Sequence, residues 1–241
     1  MKMLPRLLAT GLLVSSLVAC EKNQDLQSQQ EPIGDEVLTK IYNLGFGTKD
    51  VMKVEDGYIV EGDILITPEM LNSNPVRKML RVADAEQYHT TNVVTGLPRV
   101  ITVSVDAKLG TKYVTATDAA IARYNAQNLQ ITFQRVSSGA NIAITAAPRN
   151  AQYLASAGFP TSTGQPHNSI KVNNTYLDRN NWAANTITSI MAHEIGHCIG
   201  FRHTDYMSRQ YSCGGSPVNE GASTVGAIFI PGTNPDPDPN S

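Results

Sequence analysis

The chain has 241 residues, a formal net charge of −2, 17% charged residues and 41% apolar residues. That suits one ordinary globular domain with attachments and supplies enough apolar side chains for a core. It carries no basic excess of the kind that nucleic-acid binding needs, so no nucleic-acid partner is expected.

Lys2 and Arg6 precede an apolar run over residues 7–18. This is the pattern of a secretory signal, too short and wrongly flanked for a membrane-spanning helix. The run closes on Leu17-Val18-Ala19-Cys20, which resembles a bacterial lipobox. The resemblance implies removal of residues 1–19, lipidation of Cys20 and anchoring by acyl chains in the bilayer. A plain signal peptide with an incidental cysteine is the alternative. Residues 20–33 read as a polar, Gln-rich tether. Export would also place Cys198 and Cys213 where disulfides persist. They either bridge or stay as two thiols, one of them a small core residue.

Residues 34–85 read as a separate element, with a helix over 36–46 and a hairpin over 51–67 that turns at Glu55-Asp56-Gly57. The basic cluster Arg77, Lys78 and Arg81 falls in a loop, as solvated surface or as a place to be cut. From Leu97 the pattern becomes α/β. A strand over 100–105 leads to a helix over 114–127, capped near Thr115 or Thr117, with Ala120, Ile121 and Tyr124 inward. Strands follow over 131–136 and 141–146, with a weaker one over 152–157. A turn-rich loop over 158–167 precedes a strand over 169–173. His89 and His167 read as surface residues. The periodicity then predicts a helix over 181–201, with Ile187, Ile190, Met191, Ile195 and Cys198 on one face and Asn185 or Thr186 as cap. Residues 231–241 are rich in Pro and Asp and are expected to be disordered.

The last helix carries the chemistry, in the run His193-Glu194-Ile195-Gly196-His197-Cys198-Ile199-Gly200-Phe201-Arg202-His203. His193 and His197 are four residues apart, so their rings leave the same flank of a helix side by side. Neutral imidazoles so placed can hold a zinc ion. Gly200 comes one turn later, where a helix can end in a left-handed residue without a Cβ penalty. The chain can then turn back and present His203 as a third ligand. Three protein ligands leave one position open for water, the arrangement of catalytic zinc. Glu194 lies between His197 and the apolar face, where a carboxylate without a partner is costly. Zinc lowers the pKa of bound water to roughly 7, and Glu194 can take that proton as general base and then protonate the leaving amine.

This string is the metzincin signature. Within that clan the run from His193 to Asp205 looks most like the bacterial dual-action HEIGH metallopeptidases of family M57. The resemblance implies an α+β, metzincin-like zincin fold: a twisted, mostly parallel five-stranded sheet with a backing helix, an active-site helix and a short C-terminal subdomain. It also implies peptide substrates lying along an antiparallel edge strand, for which residues 152–157 are the candidate. Val60-Glu61-Gly62-Asp63-Ile64 is similar to an element of astacin propeptides, although Val60 replaces the usual aromatic residue. There the aspartate fills the open zinc position and keeps the zymogen off; here that implies a switch at Asp63. A mere turn at Gly62-Asp63 is the alternative.

One departure stands out. Metzincins carry a methionine turn beneath the zinc, and Met207 is the one methionine after His203. The expectation is that the turn is lost or that the sequence stops just before it, after Pro231-Gly232-Thr233. Asp205 would orient a ligand histidine or serve as a loop residue. Tyr206 would stabilise an oxyanion or simply pack. The organisation expected is a signal over 1–19, a tether over 20–33, an inhibitory segment over 34–85, a zinc peptidase domain over 86–230 and a tail. The activity expected is a zinc endopeptidase made as a zymogen: a monomer that acts on polypeptides, tied to the outer membrane or cell surface by its lipid, or released after processing. A zinc-binding surface lipoprotein without catalysis is the rival.

Overall fold

The computed structural model describes residues 32–73, 88–203 and 228–230, all within one compact unit, Pro32–Ser241. The first stretch forms helix α1 (Asp35–Asn43), strands β1 (Met52–Val54), β2 (Gly57–Val60) and β3 (Ile64–Ile66), and a short helix α2 (Pro68–Leu71). The turn at Glu55 and Asp56 joins β1 to β2 as expected, and β3 adds a third antiparallel strand. Ile41, Leu44, Phe46, Val60, Ile64, Ile66 and Leu71 form a buried cluster of this stretch's own. Among the described residues, Phe159 is its one member from elsewhere in the chain.

The second stretch opens with β4 (Tyr88–His89) and β5 (Arg99–Val105), then helix α3 (Thr111–Asn125), β6 (Ile131–Arg135) and β7 (Ile142–Ala146). It continues through β8 (Ala155–Ala157), β9 (Ser169–Val172), α4 (Asn174–Arg179) and α5 (Ala184–Ile199); β10 (Ile228–Phe229) pairs with β4. Parallel neighbours need a crossover, and α3 supplies it between β5 and β6. The fold is mixed α and β around a multi-stranded sheet. Its order is β1-β2-β3-β8-β9-β7-β5-β6. The five strands β8, β9, β7, β5 and β6 are parallel except where β8 meets β9.

Among the described residues the sheet has eight strands where five were expected. The reason is that β3 pairs in parallel with β8, Ile64 opposite Ala157, and so joins the N-terminal hairpins to the main sheet. The strand expected over 152–157 is therefore not an edge in this structure, and it shortens to three residues. The C-terminal subdomain lies outside the described residues.

The main core is set by alternation in the strands and helical spacing in the helices. Ile101, Val103, Ile142, Ile144, Ile170 and Val172 meet Ala116, Ala120 and Ile121 of α3 and Ile187, Met191, Ile195 and Cys198 of α5. Two caps differ from expectation. Helix α3 starts after Gly110, with Thr117 buried and donating to the Tyr113 carbonyl at 2.8 Å. Helix α5 starts after Ala183 without a side-chain cap, so Asn185 and Thr186 fall inside its first turn. Asn173 caps a further short helix, α4, accepting from the Tyr176 N–H at 3.1 Å.

Helices α3 and α5 approach closely at Gly196. A Cβ there would lie 2.9 Å from the Tyr124 hydroxyl oxygen, which donates to the Ala192 carbonyl at 2.9 Å. Overpacking of this kind costs about 1–3 kcal/mol. Gly196→Ala should lower stability by that amount in denaturant titration, and adding Tyr124→Phe should recover part of it. A loss unchanged by the second substitution would place the strain elsewhere.

Candidate metal centre

Helix geometry sets the first two side chains. His193 and His197 sit four residues apart on α5, with ring centroids 4.6 Å apart and Nε2 atoms 3.0 Å apart. The helix ends at Gly200, whose φ of 118° is left-handed. Its N–H reaches the Gly196 and His197 carbonyls at 3.1 and 3.0 Å, and the Phe201 N–H reaches the Gly196 carbonyl at 2.9 Å. The reversed chain is then fixed from outside: the Thr90 N–H donates to the Gly200 carbonyl and the Arg202 N–H to the Tyr88 carbonyl, each at 2.8 Å. This returns His203 to within 5.1 Å of the His193 ring and 5.0 Å of the His197 ring, centroid to centroid.

The fourth group comes from the N-terminal hairpins. Asp63 Oδ2 lies 3.2 Å from His193 Nε2, and Oδ1 lies 3.0 Å from His203 Nε2 and 3.8 Å from His197 Nε2. One carboxylate thus faces three imidazoles. Burial alone would raise its pKa, but His203 and His193 override that and hold it well below the usual carboxylate range. His197 Nδ1 lies 2.7 Å from the Phe201 carbonyl, which can only accept. The proton is therefore on Nδ1, and Nε2 of the neutral ring turns a lone pair into the cluster. Burial, with His193 nearby, pushes the His197 pKa well down and keeps the ring neutral.

These features fit a zinc ion. Four ligand atoms, from Asp63, His193, His197 and His203, lie within 4.8 Å of one another. Tetrahedral zinc at its usual bond lengths places ligand atoms about 3.3 Å apart, close to the separations seen. Glu194 is 2% exposed, and its Oε2 has no hydrogen-bond partner among the described residues. Burial, and then the charge of Asp63, push its pKa well above the usual carboxylate value. A buried carboxyl oxygen without a partner beside a set of converging nitrogens marks a place built for an occupant.

The cluster opens to one side, since the His193 side chain is 41% exposed while those of His197 and His203 are at most 2%. That side is a cleft of about 740 Å³ lined by Gly62, Asp63, Tyr153, Ala155, His193 and Glu194 among others. A second cavity of about 890 Å³, bordered by Leu65, Met70, Phe159 and His167, holds none of the four ligand side chains. His167, expected at the surface, is half-buried: its ring packs on Gly158, and burial pushes its pKa down to about 4.

Asp63, Glu194 and the three histidines meet in this one place. Cys198 lies in the core with no disulfide partner among the described residues, and burial pushes its thiol pKa well up. Its expected partner Cys213 lies outside the described residues, as do Cys20, Asp205, Tyr206, Met207 and the 231–241 tail. Glu61 and Arg202, which no motif in the sequence singles out, form a buried ion pair beside His203. Their separation of 141 residues leaves no local signal of the pairing.

Residues 58–240 match the family described as dual-action HEIGH metallo-peptidase. No protein with a curated description matches. Two solved structures are similar at 21% identity. "Structure of myroilysin" matches over 48% of this chain and 54% of that chain, with a TM-score of 0.36. "Crystal structure of myroilysin" matches over 46% and 47%, with a TM-score of 0.31. The match thus spans about half the length of those chains.

Zinc at a thousand times its dissociation constant stabilises a folded binder by about 4 kcal/mol. Adding zinc to chelator-treated protein should therefore raise its thermal midpoint, and His197→Gln should abolish the rise. An equal rise in both proteins would place the metal elsewhere.

Proposed function

The chain belongs to the dual-action HEIGH metallopeptidase family, and from that premise we propose that it is a zinc endopeptidase held latent by its own N-terminal segment. One observation carries the proposal: the Asp63 carboxylate sits among the three imidazoles, next to the buried and unpartnered Glu194 oxygen.

His193, His197 and His203 would hold the zinc, which when bound acidifies water and polarises a carbonyl. The Phe201 carbonyl fixes the His197 ring from behind. Glu194 takes a proton from water at Oε2 and returns it to the departing amine, a general-base role worth about 10²–10⁴ in rate. The 153–155 stretch lines the cleft beside His193 and offers backbone to an extended peptide. Polypeptides are the substrates this geometry suits.

Two contacts support latency. Asp63 takes the fourth corner of the ligand set, and β3 takes the side of β8 along which a peptide would pair. Removal of the 34–85 segment, by cutting near Arg77, Lys78 or Arg81, would release both. The domain that remains, 86–230, would then be the active peptidase. Export and attachment through a lipid on Cys20 complete the proposal, with the outer membrane or cell surface as its place before or after release.

The test is cleavage of casein or a peptide library by the processed protein. Wild type should cut, chelator should stop it, and Glu194→Gln should lose at least about a hundredfold. Zinc binding with wild type and Glu194→Gln equally inert would make the protein a zinc-binding lipoprotein instead. In the unprocessed chain, Asp63→Ala should give premature cleavage, and latency equal to wild type would remove Asp63 as the switch.

A further inference from the structure

Asp63 does not reach the imidazoles by itself. It follows a tight reversal between β2 and β3, in which Glu61 (φ 54°) and Gly62 (φ 94°) are both left-handed. For a non-glycine residue that conformation costs roughly 1–2 kcal/mol, so something must hold Glu61 there. What holds it is Arg202, the residue before His203. Arg202 Nη2 lies 2.8 Å from Glu61 Oε1 and 2.6 Å from Oε2. Both side chains are fully buried. The Gly47 N–H donates to Glu61 Oε1 at 3.0 Å, and the guanidinium carbon lies 4.3 Å from the centre of the Phe46 ring. Phe46 stacks on Phe159 at 5.8 Å, whose ring stands edge-on to His197 at 5.6 Å. Glu61 Oε2 also lies 4.0 Å from His203 Nδ1, on the side of that ring away from Asp63.

We propose that Glu61 is a positioning residue: its buried ion pair with Arg202 clasps the N-terminal segment onto the 201–203 turn without help from metal, and so sets Asp63 among the imidazoles. This rests on the reading of that segment as inhibitory. A carboxylate at the metal alone would let the segment lift whenever zinc is lost. The clasp keeps the docked state in the metal-free protein as well, because lifting would leave a buried charge without its partner. Arginine suits the role, since its guanidinium stays charged and presents several donors in a fixed plane.

Hydrogen exchange on the full chain tests the clasp in both zinc-loaded and chelated forms. The reporter is the Ala157 amide, which donates to the Asp63 carbonyl at 3.2 Å. Amides of residues 116–121 in α3 serve as the control. E61Q should speed exchange at Ala157 and in β3 about a hundredfold in both forms and leave the α3 amides unchanged, in keeping with the cost of breaking one buried pair. R202K, which keeps the charge and loses the planar fork, should give a smaller acceleration of the same pattern. E61M and R202M should combine non-additively, the double variant exchanging more slowly than the sum of the singles predicts. Equal acceleration in α3, acceleration only with zinc bound, or additive singles would each overturn the clasp. The readout is independent of peptidase activity, so failure of the latency reading would appear separately, as no gain of cleavage on processing.

Discussion

Three imidazole nitrogens and a carboxylate oxygen share a space of less than 5 Å, and the rest of the molecule is arranged around making that tolerable. A single helix can present two such rings, not three. The third requires the chain to reverse within one turn, which the left-handed Gly200 permits. The reversed strand would be loose without the backbone bonds that Tyr88 and Thr90 make to Arg202 and Gly200. Helix α5 is in turn immobilised by Ile187, Met191, Ile195 and Cys198 in the main core and by the close approach of α3 at Gly196. Sheet, helix and turn thus form one rigid support for a small polar centre.

Besides apolar packing of Ile59 and Leu65 on Ala147 and Tyr153, the N-terminal segment is joined to this support by three polar contacts. Backbone pairing ties β3 to β8. A buried ion pair ties Glu61 to Arg202. The carboxylate of Asp63 meets the imidazoles directly. Their spacing is short along the chain, from Glu61 to Ile64, so the three act on one rigid reversal rather than on separate loops. The segment nonetheless has an apolar cluster largely of its own, to which Phe159 is added among the described residues. It is a small folded body resting on a larger one.

Much of the centre was legible because its determinants are local. The spacing of His193, His197, Gly200 and His203 encodes a helix, a stop and a return, and the buried Glu194 follows from the wheel. Asp63 was readable only through its likeness to a known propeptide element. Other features were not legible, for physical reasons. Helix α4 was not legible: Asn173 caps it, and its side-chain amide is held by the Ala151 and Tyr153 carbonyls, twenty or so residues away. The span of β8 was overestimated, and its partner β3 was missed. Pairing between strands some ninety residues apart depends on tertiary geometry rather than pattern. The partnership of Glu61 with Arg202 is of the same kind: each looks like an ordinary surface charge until the fold brings them together.

The parallel pairing of β3 with β8 has a bearing on solubility. An open strand beside a cleft is what a peptide-binding protein needs, and it is also a template on which other copies can add. Proteins usually blunt such edges with charge, proline or brevity. Here the residues concerned, Ala155, Ser156 and Ala157, are small and carry no charge, so brevity is the one intrinsic safeguard. While β3 lies against the strand, the Ala157 amide is taken by the Asp63 carbonyl. The hairpin that covers this end of the strand thereby keeps it from neighbouring copies of the chain.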